Sequence, residues 1–342
     1  MRNSLPLVRA LAALLLLAAA GCSKPVSKDA ATTAGAFPVG LVFDIGGRGD
    51  KSFNDAAYAG LERAQKELGV TFSTLETNEG SDREAQLRQL AAGDAKLVFG
   101  VGFLFTDDVL ALAREFPNQK FACVDYTLSA GDTLPANLVA LKFREEEGSF
   151  LVGALSALLS KTGKVGFVGG MEIPLIRKFQ AGFTAGAKAV NPKITVMVKY
   201  AGNTGAAFKD PTKGKELALA EYQAGADIIF HASGSTGLGV FEAARELKKL
   251  AIGVDSDQYD EAPGVVLTSM VKRVDTAVFD TIRDLKAGNW QGGVREFGLA
   301  DSGVTWVYDD RNKAGIPAAV KATVDSLQAE IVAGRIRVPT EP

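Results

Sequence analysis

The sequence predicts an α/β protein of two similar lobes, each built on a parallel sheet that helices cover. Short apolar runs alternate with longer amphipathic runs, a pattern typical of strands and helices that follow one another in parallel sheets. The alternation is interrupted by a strongly apolar helix after residue 146 and then starts again. The length of 342 residues corresponds to roughly two domains.

The N-terminal segment predicts export and anchoring. An apolar run at 11–20 is too short to cross a bilayer and fits a secretory signal peptide over 1–21. Small residues then lead to Cys22, as in a bacterial lipobox, although Ala19 replaces the usual leucine. We expect lipidation of Cys22 and a flexible polar tether over 22–37. The alternative is ordinary signal cleavage that leaves Cys22 as an incidental thiol.

The first half predicts five strands and three helices. Its strands alternate with helices, which argues for a parallel sheet that helices cover on both faces. The first helix has one apolar face and ends at Gly69, and the third ends before Pro117, because proline cannot continue a helix. The predicted strands are 39–43, 70–75, 95–101, 120–124 and 138–143, and the helices are 55–68, 82–92 and 106–116.

The second half repeats features of the first. A Val-Gly pair ending at Gly40 recurs at Gly166, and an Ala-Gly step at Gly60 on the following helix recurs at Gly182. The first copy has the longer loop, which carries GGRGDKSF, so we expect two lobes facing each other across a ligand cleft. The predicted helices are 147–160, 175–189, 213–224, 237–247, 273–287 and about 317–333, and the strands are 165–168, 194–200, 227–231, 251–254 and 265–270.

Composition and motifs exclude several classes of function. The 38 basic and 40 acidic side chains leave no basic excess for binding nucleic acid. The single histidine, His231, excludes multi-histidine zinc sites and is interpreted as a packing or ligand-rim residue, not a catalyst. Asp50 interrupts the Gly-Lys-Ser order that a phosphate loop needs. Cys123 is interpreted as a small buried hydrophobe. We therefore expect no catalytic residue, metal or cofactor.

Polar and aromatic residues follow the predicted strands at the end where open α/β sheets bind ligands. Carboxylates there accept hydrogen bonds from hydroxyl and ring N–H groups, and aromatic rings stack on flat faces. A sugar or nucleoside pocket is therefore expected, although each aspartate alone could instead cap a helix. The residues are Asp44, Asp125, His231, Gly234, Asp255 and Lys272 at strand ends, and Phe53, Phe179 and Phe208 beyond such strands.

Longer segments then point to one family. They are FDIGGRGDKSFND with GLERA, SGDTLPANLVALKFREEEGSFLVGALSALLSKTGKVGFVGGMEIPLIRKFQAGFTAGA, HASGSTGLGVFEAA, GVDSDQ and VLTSMVKRVDTAV. In order and spacing they resemble the basic membrane protein (BMP) family, bacterial substrate-binding lipoproteins of the purine nucleoside receptor type. The resemblance covers about residues 38–335, although the loop GGRGDKSFN is richer in glycine and charge than the family pattern, so the ligand range could differ.

The resemblance implies a periplasmic-binding-protein type I fold, with two Rossmann-like lobes and parallel sheets joined by three crossovers. We expect 38–145 plus about 256–290 in the N-terminal lobe, and 146–255 plus about 291–335 in the C-terminal lobe. The implied function is capture of a purine nucleoside (guanosine, inosine or adenosine) and its delivery to an ABC transporter permease. The protein would be held to the membrane by its lipid anchor, facing the periplasm or exterior of a bacterium.

The resemblance also implies roles for individual residues. Asp44 and Asn54 should contact the base edge, and Phe53 should stack on the purine. Either Phe208 or Phe179 should cover the other face, and the motifs leave this choice open. The remaining implied positions are Asp125 beside the pocket, Asp255 and Lys272 on the ribose hydroxyls, and Gly234 where the backbone approaches the ligand closely.

Two other functions remain open from the sequence. The same fold could bind a sugar or a signalling molecule, in which case an aromatic pair on both faces of the ligand would not be needed. A nucleoside hydrolase would need a cluster of metal-binding aspartates or a poised acid. The candidate carboxylates are instead scattered one per strand, so binding without catalysis is expected.

Overall fold

The strands of the computed structural model, which describes residues 37–77, 82–129 and 131–342, form two six-stranded sheets. The first sheet has the order β11-β5-β4-β3-β1-β2 and the second has the order β12-β10-β9-β8-β6-β7. The first contains β1 (Pro38–Phe43), β2 (Thr71–Glu76), β3 (Leu97–Val101), β4 (Lys120–Val124), β5 (Leu138–Phe143) and β11 (Gly293–Phe297). The second contains β6 (Lys164–Met171), β7 (Thr195–Gly202), β8 (Ile228–Ala232), β9 (Leu250–Asp255), β10 (Val266–Lys272) and β12 (Val304–Trp306).

Neighbouring strands are parallel in both sheets except for the pair β10 and β12, which is antiparallel. Parallel sheets need helical connections, and the chain supplies them. The helices are α1 (Phe53–Leu68), α2 (Arg83–Ala91), α3 (Thr106–Glu115), α4 (Glu145–Leu159), α5 (Pro174–Val190), α6 (Pro211–Gln223), α7 (Thr236–Leu247), α8 (Val274–Lys286) and α9 (Ala318–Val332). Three short 3₁₀ turns are Phe103–Phe105, Gly205–Phe208 and Tyr259–Glu261.

The chain crosses between the sheets three times, from β5 to β6, from β10 to β11 and from β11 to β12. The two-lobed α/β fold and its parallel sheets are therefore as predicted. We call the part around the first sheet the first lobe and the part around the second sheet the second lobe. The sheets place the functional residues, because the carboxyl ends of their parallel strands carry the polar side chains.

The expected division of the lobes is wrong for two strands. β10 falls in the range 256–290 that was assigned to the N-terminal lobe, but it pairs with β9 in the second sheet. β11 falls in the range 291–335 that was assigned to the C-terminal lobe, but it pairs with β5 in the first sheet. The alternation of strand and helix continues unchanged across these crossings, so the sequence pattern gives no sign of which sheet a strand joins.

The repeated glycines mark helix contacts. A Cβ on Gly60 of α1 would lie 2.5 Å from the backbone oxygen of Asp275 in α8. A Cβ on Gly182 of α5 would lie 2.1 Å from the backbone oxygen of Glu146 in α4. Because α4 lies on the crossing from β5 to β6 and α8 on the crossing from β10 to β11, both lobes use a glycine to pack their first helix against a crossing helix.

The predicted signal peptide, Cys22 and all but the last residue of the tether lie outside the described residues. Among the residues that are described, no helix is both long and apolar enough to cross a membrane.

Candidate ligand-binding site

A cavity lies between the two lobes at the carboxyl ends of their strands, with about 580 Å³ of empty space that is partly open to solvent. The structure brings all nine ligand-binding residues expected from the sequence to its wall: Asp44, Phe53, Asn54, Asp125, Phe179, Phe208, Gly234, Asp255 and Lys272. Residues that were not expected also line it: Ile45, Asp50, Gly102, Phe103, Leu175, Ile176, Ala232, Ser233 and Val254.

Asp44 follows β1 directly and directs its carboxyl group into the cavity. One oxygen, Oδ1, accepts the backbone N–H of Ile45 at 2.7 Å. The other, Oδ2, lies against Gly102, where an added Cβ would be only 2.0 Å away. Burial raises the pKa of Asp44 to about 7, because the site offers the carboxylate little solvation. Gly102 therefore makes room for a carboxyl group that has one oxygen without a hydrogen bond from the residues that the structure describes.

Asn54 lies in the first turn of α1, and both its amide oxygen and its amide nitrogen form hydrogen bonds. Its Oδ1 accepts the backbone N–H of Asp44 at 3.1 Å, and its Nδ2 donates to Asp50 Oδ2 at 3.1 Å. Since an amide nitrogen carries two hydrogens, one N–H stays available to a ligand. The side chain of Asn54 thus presents a single donor beside the acceptor of Asp44.

Asp50 is the residue that orients Asn54. Its buried carboxylate accepts the backbone N–H groups of Ser52, Asn54 and Asp55 at 2.8–3.1 Å, which satisfies unpaired donors at the start of α1. Asp50 therefore caps the start of α1, while Asp44, one of the aspartates that could have capped a helix, faces the cavity. An aspartate shortly before a helix start is the sequence signal that could have identified it.

Three aromatic rings of the wall differ in their surroundings. Phe179 is only 3% exposed and packs against Phe230 with ring centroids 6.5 Å apart. Phe208 is half-buried, and its ring meets Phe103 edge-on at 6.2 Å. Phe53, at the start of α1, is also half-buried. Phe53 and Phe208 are therefore the more accessible rings, and Phe179 belongs to the core as well as to the wall.

Lys272 forms the charged floor of the cavity. Its Nζ lies 2.6 Å from the Asp125 carboxylate and 3.1 Å from Glu145, and all three side chains are buried. Burial alone would lower the pKa of Lys272, but the two carboxylates raise it, so the ammonium stays charged. The centroids of the Phe53 and Phe143 rings lie 5.1 and 5.0 Å from Nζ. Such contacts favour a cation that has lost its water.

The two strand-end aspartates share an unusual backbone. Asp125 and Asp255 have φ values of 60° and 64°, in the left-handed region that non-glycine residues rarely adopt. Asp255 Oδ2 accepts the hydroxyl of Ser52 at 2.6 Å, and burial raises the pKa of Asp255 to about 6. Residues in such conformations cluster at functional sites, where the surrounding structure holds them.

His231 is a packing residue and does not line the cavity. It is fully buried, and its Nε2 lies 3.0 Å from Oε1 of Gln258. Burial lowers its pKa to about 4, so the ring is neutral at physiological pH. Gly234 does line the cavity and has a φ of 56°, which a side chain would strain. Cys123 is buried in the core, as expected.

Comparison with known proteins agrees with this architecture. The family model Bmp, described as ABC transporter substrate-binding protein PnrA-like, matches residues 37–341. The CD4+ T-cell-stimulating antigen of Listeria monocytogenes is 38% identical over 328 residues, which cover 90% of this chain and 89% of that protein. The ABC transporter nucleoside-binding protein BmpA of Lactococcus lactis is 32% identical over 367 residues and 100% of both chains.

Among solved structures, a solute-binding protein of an ABC transporter system from Aeropyrum pernix K1 superposes with a TM-score of 0.80. The two are 29% identical, and the match covers 89% of this chain and 93% of that one. The family resemblance inferred from the sequence motifs is confirmed. The chain belongs to the Bmp family of PnrA-like ABC transporter substrate-binding proteins.

Proposed function

We propose that this protein captures purine nucleosides in the cavity between its lobes and delivers them to an ABC importer. The observation that carries the proposal is the convergence of nine residues, from Asp44 to Lys272 in sequence, on one cavity. The printed name of the Lactococcus lactis relative, a nucleoside-binding protein, supports the same ligand class. The protein acts by binding and release, without chemistry on the ligand.

The base occupies the end of the cavity near Asp44 and Asn54. Asp44 Oδ2 accepts a ring N–H, and the free N–H of Asn54 donates to the neighbouring acceptor of the base edge. Inosine and guanosine present this pair as N1–H and O6. Phe53 stacks on one face of the purine and Phe208 covers the other, since these two rings are more accessible than Phe179.

The ribose occupies the charged end. Lys272 donates to the ribose hydroxyls, and Asp255 accepts from them through Oδ1, because Oδ2 already accepts from Ser52. Asp125 holds the ammonium of Lys272 in place at 2.6 Å. Gly234 leaves the backbone free to approach the ligand. Contacts from both lobes to one ligand favour the closed arrangement by their differential affinity.

The protein reaches the extracytoplasmic side of a bacterial membrane by its signal peptide and stays there through a lipid on Cys22. The tether over 22–37 is polar and small, which allows the globular part to move relative to the membrane. The permease of the importer is the second partner.

Calorimetry of the purified mature protein with guanosine, inosine, adenosine, cytidine, ribose and free bases tests the proposal. Binding of one or more purine nucleosides is expected, with weaker or no binding of ribose and cytidine. Binding of ribose alone at comparable affinity would replace the proposal with sugar capture. The absence of a signal for every purine nucleoside would overturn it, and release of free base from inosine would show an enzyme instead.

A further inference from the structure

The lobes touch each other at a point beside the ligand cavity that involves a glycine. Gly205 begins the short 3₁₀ turn Gly205–Phe208 of the second lobe, and it faces Ile45 of the first lobe. A Cβ added to Gly205 would lie 2.3 Å from Cδ1 of Ile45 and 3.2 Å from Cδ1 of Leu104. Carbon atoms pack at about 3.5–4.0 Å, so a methyl group at this position requires either that the end of the Ile45 side chain moves or that the lobes move apart.

Space, not backbone conformation, explains the glycine. Gly205 is absent from the residues with positive φ among those described, so other residue types could adopt its backbone. Gly205 is half-buried, and the next residue of the turn, Ala206, is exposed. The feature that distinguishes this position is the approach of the other lobe.

The contact continues through aromatic rings. Phe103, next to Leu104 in the first lobe, meets Phe208 of the second lobe edge-on at 6.2 Å. We call Ile45, Phe103 and Leu104, together with Gly205 and Phe208, the closure contact. Its members lie in loops and short turns that follow β1, β3 and β7, and none lies on the three chain crossings that join the lobes. The closure contact therefore depends on how closely the lobes approach.

Gly205 itself does not line the cavity, whereas Ile45, Phe103 and Phe208 do. A side chain at 205 would therefore make no contact with the ligand itself, and it would press on Ile45 across the gap between the lobes. The cavity walls that meet at this point would then separate and admit water. Weaker contacts to the ligand and a faster release would follow.

We propose that Gly205 is an affinity-determining residue, whose missing side chain sets how far the lobes close over the ligand. This inference rests on the proposed capture of nucleosides between the lobes. Gly205 lies outside the cavity, so a substitution there should change the affinity for every nucleoside by the same factor. The reason is that the lobes close over each of them in the same way.

Two substitutions, one that adds a methyl group at residue 205 and one that removes a methyl group at residue 45, test the inference. Gly205→Ala adds a methyl group, and Ile45→Val removes the Cδ1 atom that this methyl would meet. Calorimetry with guanosine, inosine and adenosine is performed on the wild type, both single variants and the double variant. Gly205→Ala should weaken each nucleoside that binds by about tenfold, the scale expected from overpacking by one methyl group.

The double variant should recover most of that loss relative to Ile45→Val alone, since the two methyl groups no longer compete for one space. Ala206→Ser, which adds one atom to the exposed neighbour in the same turn, is the matched control and should bind as the wild type does. The melting temperature of Gly205→Ala without ligand should equal that of the wild type, because opening of the lobes relieves the clash.

Three results would overturn the inference alone: unchanged affinity in Gly205→Ala, no recovery in the double variant, or a changed order of preference among the nucleosides. The last would indicate a direct contact with the ligand. If the wild type binds no purine nucleoside, the proposed function fails first and the inference falls with it, so the two failures are distinguishable.

Discussion

At the scale of single residues, the burial of Asp44 costs the folded protein stability and at the same time places its carboxyl group where a ligand can bind. The pKa of Asp44 is about 7, compared with an ordinary value of 3.8. The folded protein therefore holds a proton that the unfolded chain releases at lower pH. Stability is lost as pH rises between these values, by up to about 4 kcal/mol for a shift of about three units. A carboxyl group kept at this cost indicates a functional role.

Asp44→Asn should separate the effect of this carboxyl group on stability from its effect on ligand binding. The variant should be more stable than the wild type at pH 8, because the amide has no proton to lose, and should bind inosine at least about tenfold more weakly at that pH. Wild-type affinity for inosine should decrease as pH falls below about 7, since protonated Asp44 no longer accepts the N1–H. Calorimetry and thermal unfolding from pH 5.5 to 8.5 measure both, and pH-independent wild-type binding would contradict the assignment.

The aromatic rings allow a second test at this scale. Phe208→Ala should weaken nucleoside binding by about 1–3 kcal/mol, the scale of base stacking, with a small effect on stability, because the ring is half-buried. Phe179→Ala should instead lower the free energy of unfolding by about 3–5 kcal/mol, because its ring packs in the core against Phe230. Chemical unfolding and calorimetry on both variants decide which ring covers the base. A larger loss of stability in Phe208→Ala would exchange the assignments.

At the scale of elements, helix α6 carries a buried carboxyl group. Glu221 of this helix is fully buried, and within the described part of the chain neither of its oxygens has a hydrogen-bond partner. One oxygen lies where a Cβ on Gly166 of β6 would be 2.1 Å away. Burial raises the pKa of Glu221 to about 9, so this helix packs on its sheet with a protonated glutamic acid.

Glu221→Leu should therefore stabilise the protein. The wild type loses up to about 1.4 kcal/mol of stability per pH unit from this group as pH rises from about 4.5 to about 9, while leucine does not titrate. Urea unfolding at several pH values should show a difference between variant and wild type that grows with pH. Nucleoside affinity should not change, since Glu221 does not line the cavity. A difference that is constant with pH would show that the carboxyl group ionises freely.

The helices and strands also show how much of the fold could be predicted from the sequence alone. Most helices and strands were predicted because apolar periodicity is a local property. Eight of the nine expected wall residues were found because the ends of parallel strands meet at one edge of a sheet, and Asn54 was added by the family resemblance. β11 and β12 were not predicted, since β11 is an edge strand interrupted by the adjacent charged residues Arg295 and Glu296, and β12 has only three residues. Contacts such as Ile45 with Gly205 depend on the approach of the lobes, which no local pattern encodes.

At the scale of the whole molecule, we propose that the globular part is attached to the membrane through Cys22 alone. Cys22→Ser should release the protein from the membrane fraction of the producing cells, because a serine cannot take the lipid. The purified variant should retain its affinity for purine nucleosides, since Cys22 precedes β1 and the described residues that line the cavity begin at Asp44. Fractionation followed by immunoblotting measures the release. A variant that stays with the membrane would show that Cys22 is not the anchor.

The position of β11 affects how the molecule is made. This strand joins the edge of the first sheet, although 150 residues of sequence separate its start at Gly293 from the end of its partner β5 at Phe143. The first lobe is therefore incomplete until nearly the entire polypeptide has been synthesised. Non-local pairing of this kind slows folding, because the long loop must close before its contacts form. For the export that we propose, the late completion of the first lobe keeps the nascent chain unfolded for longer, which allows it to pass through a translocation pore.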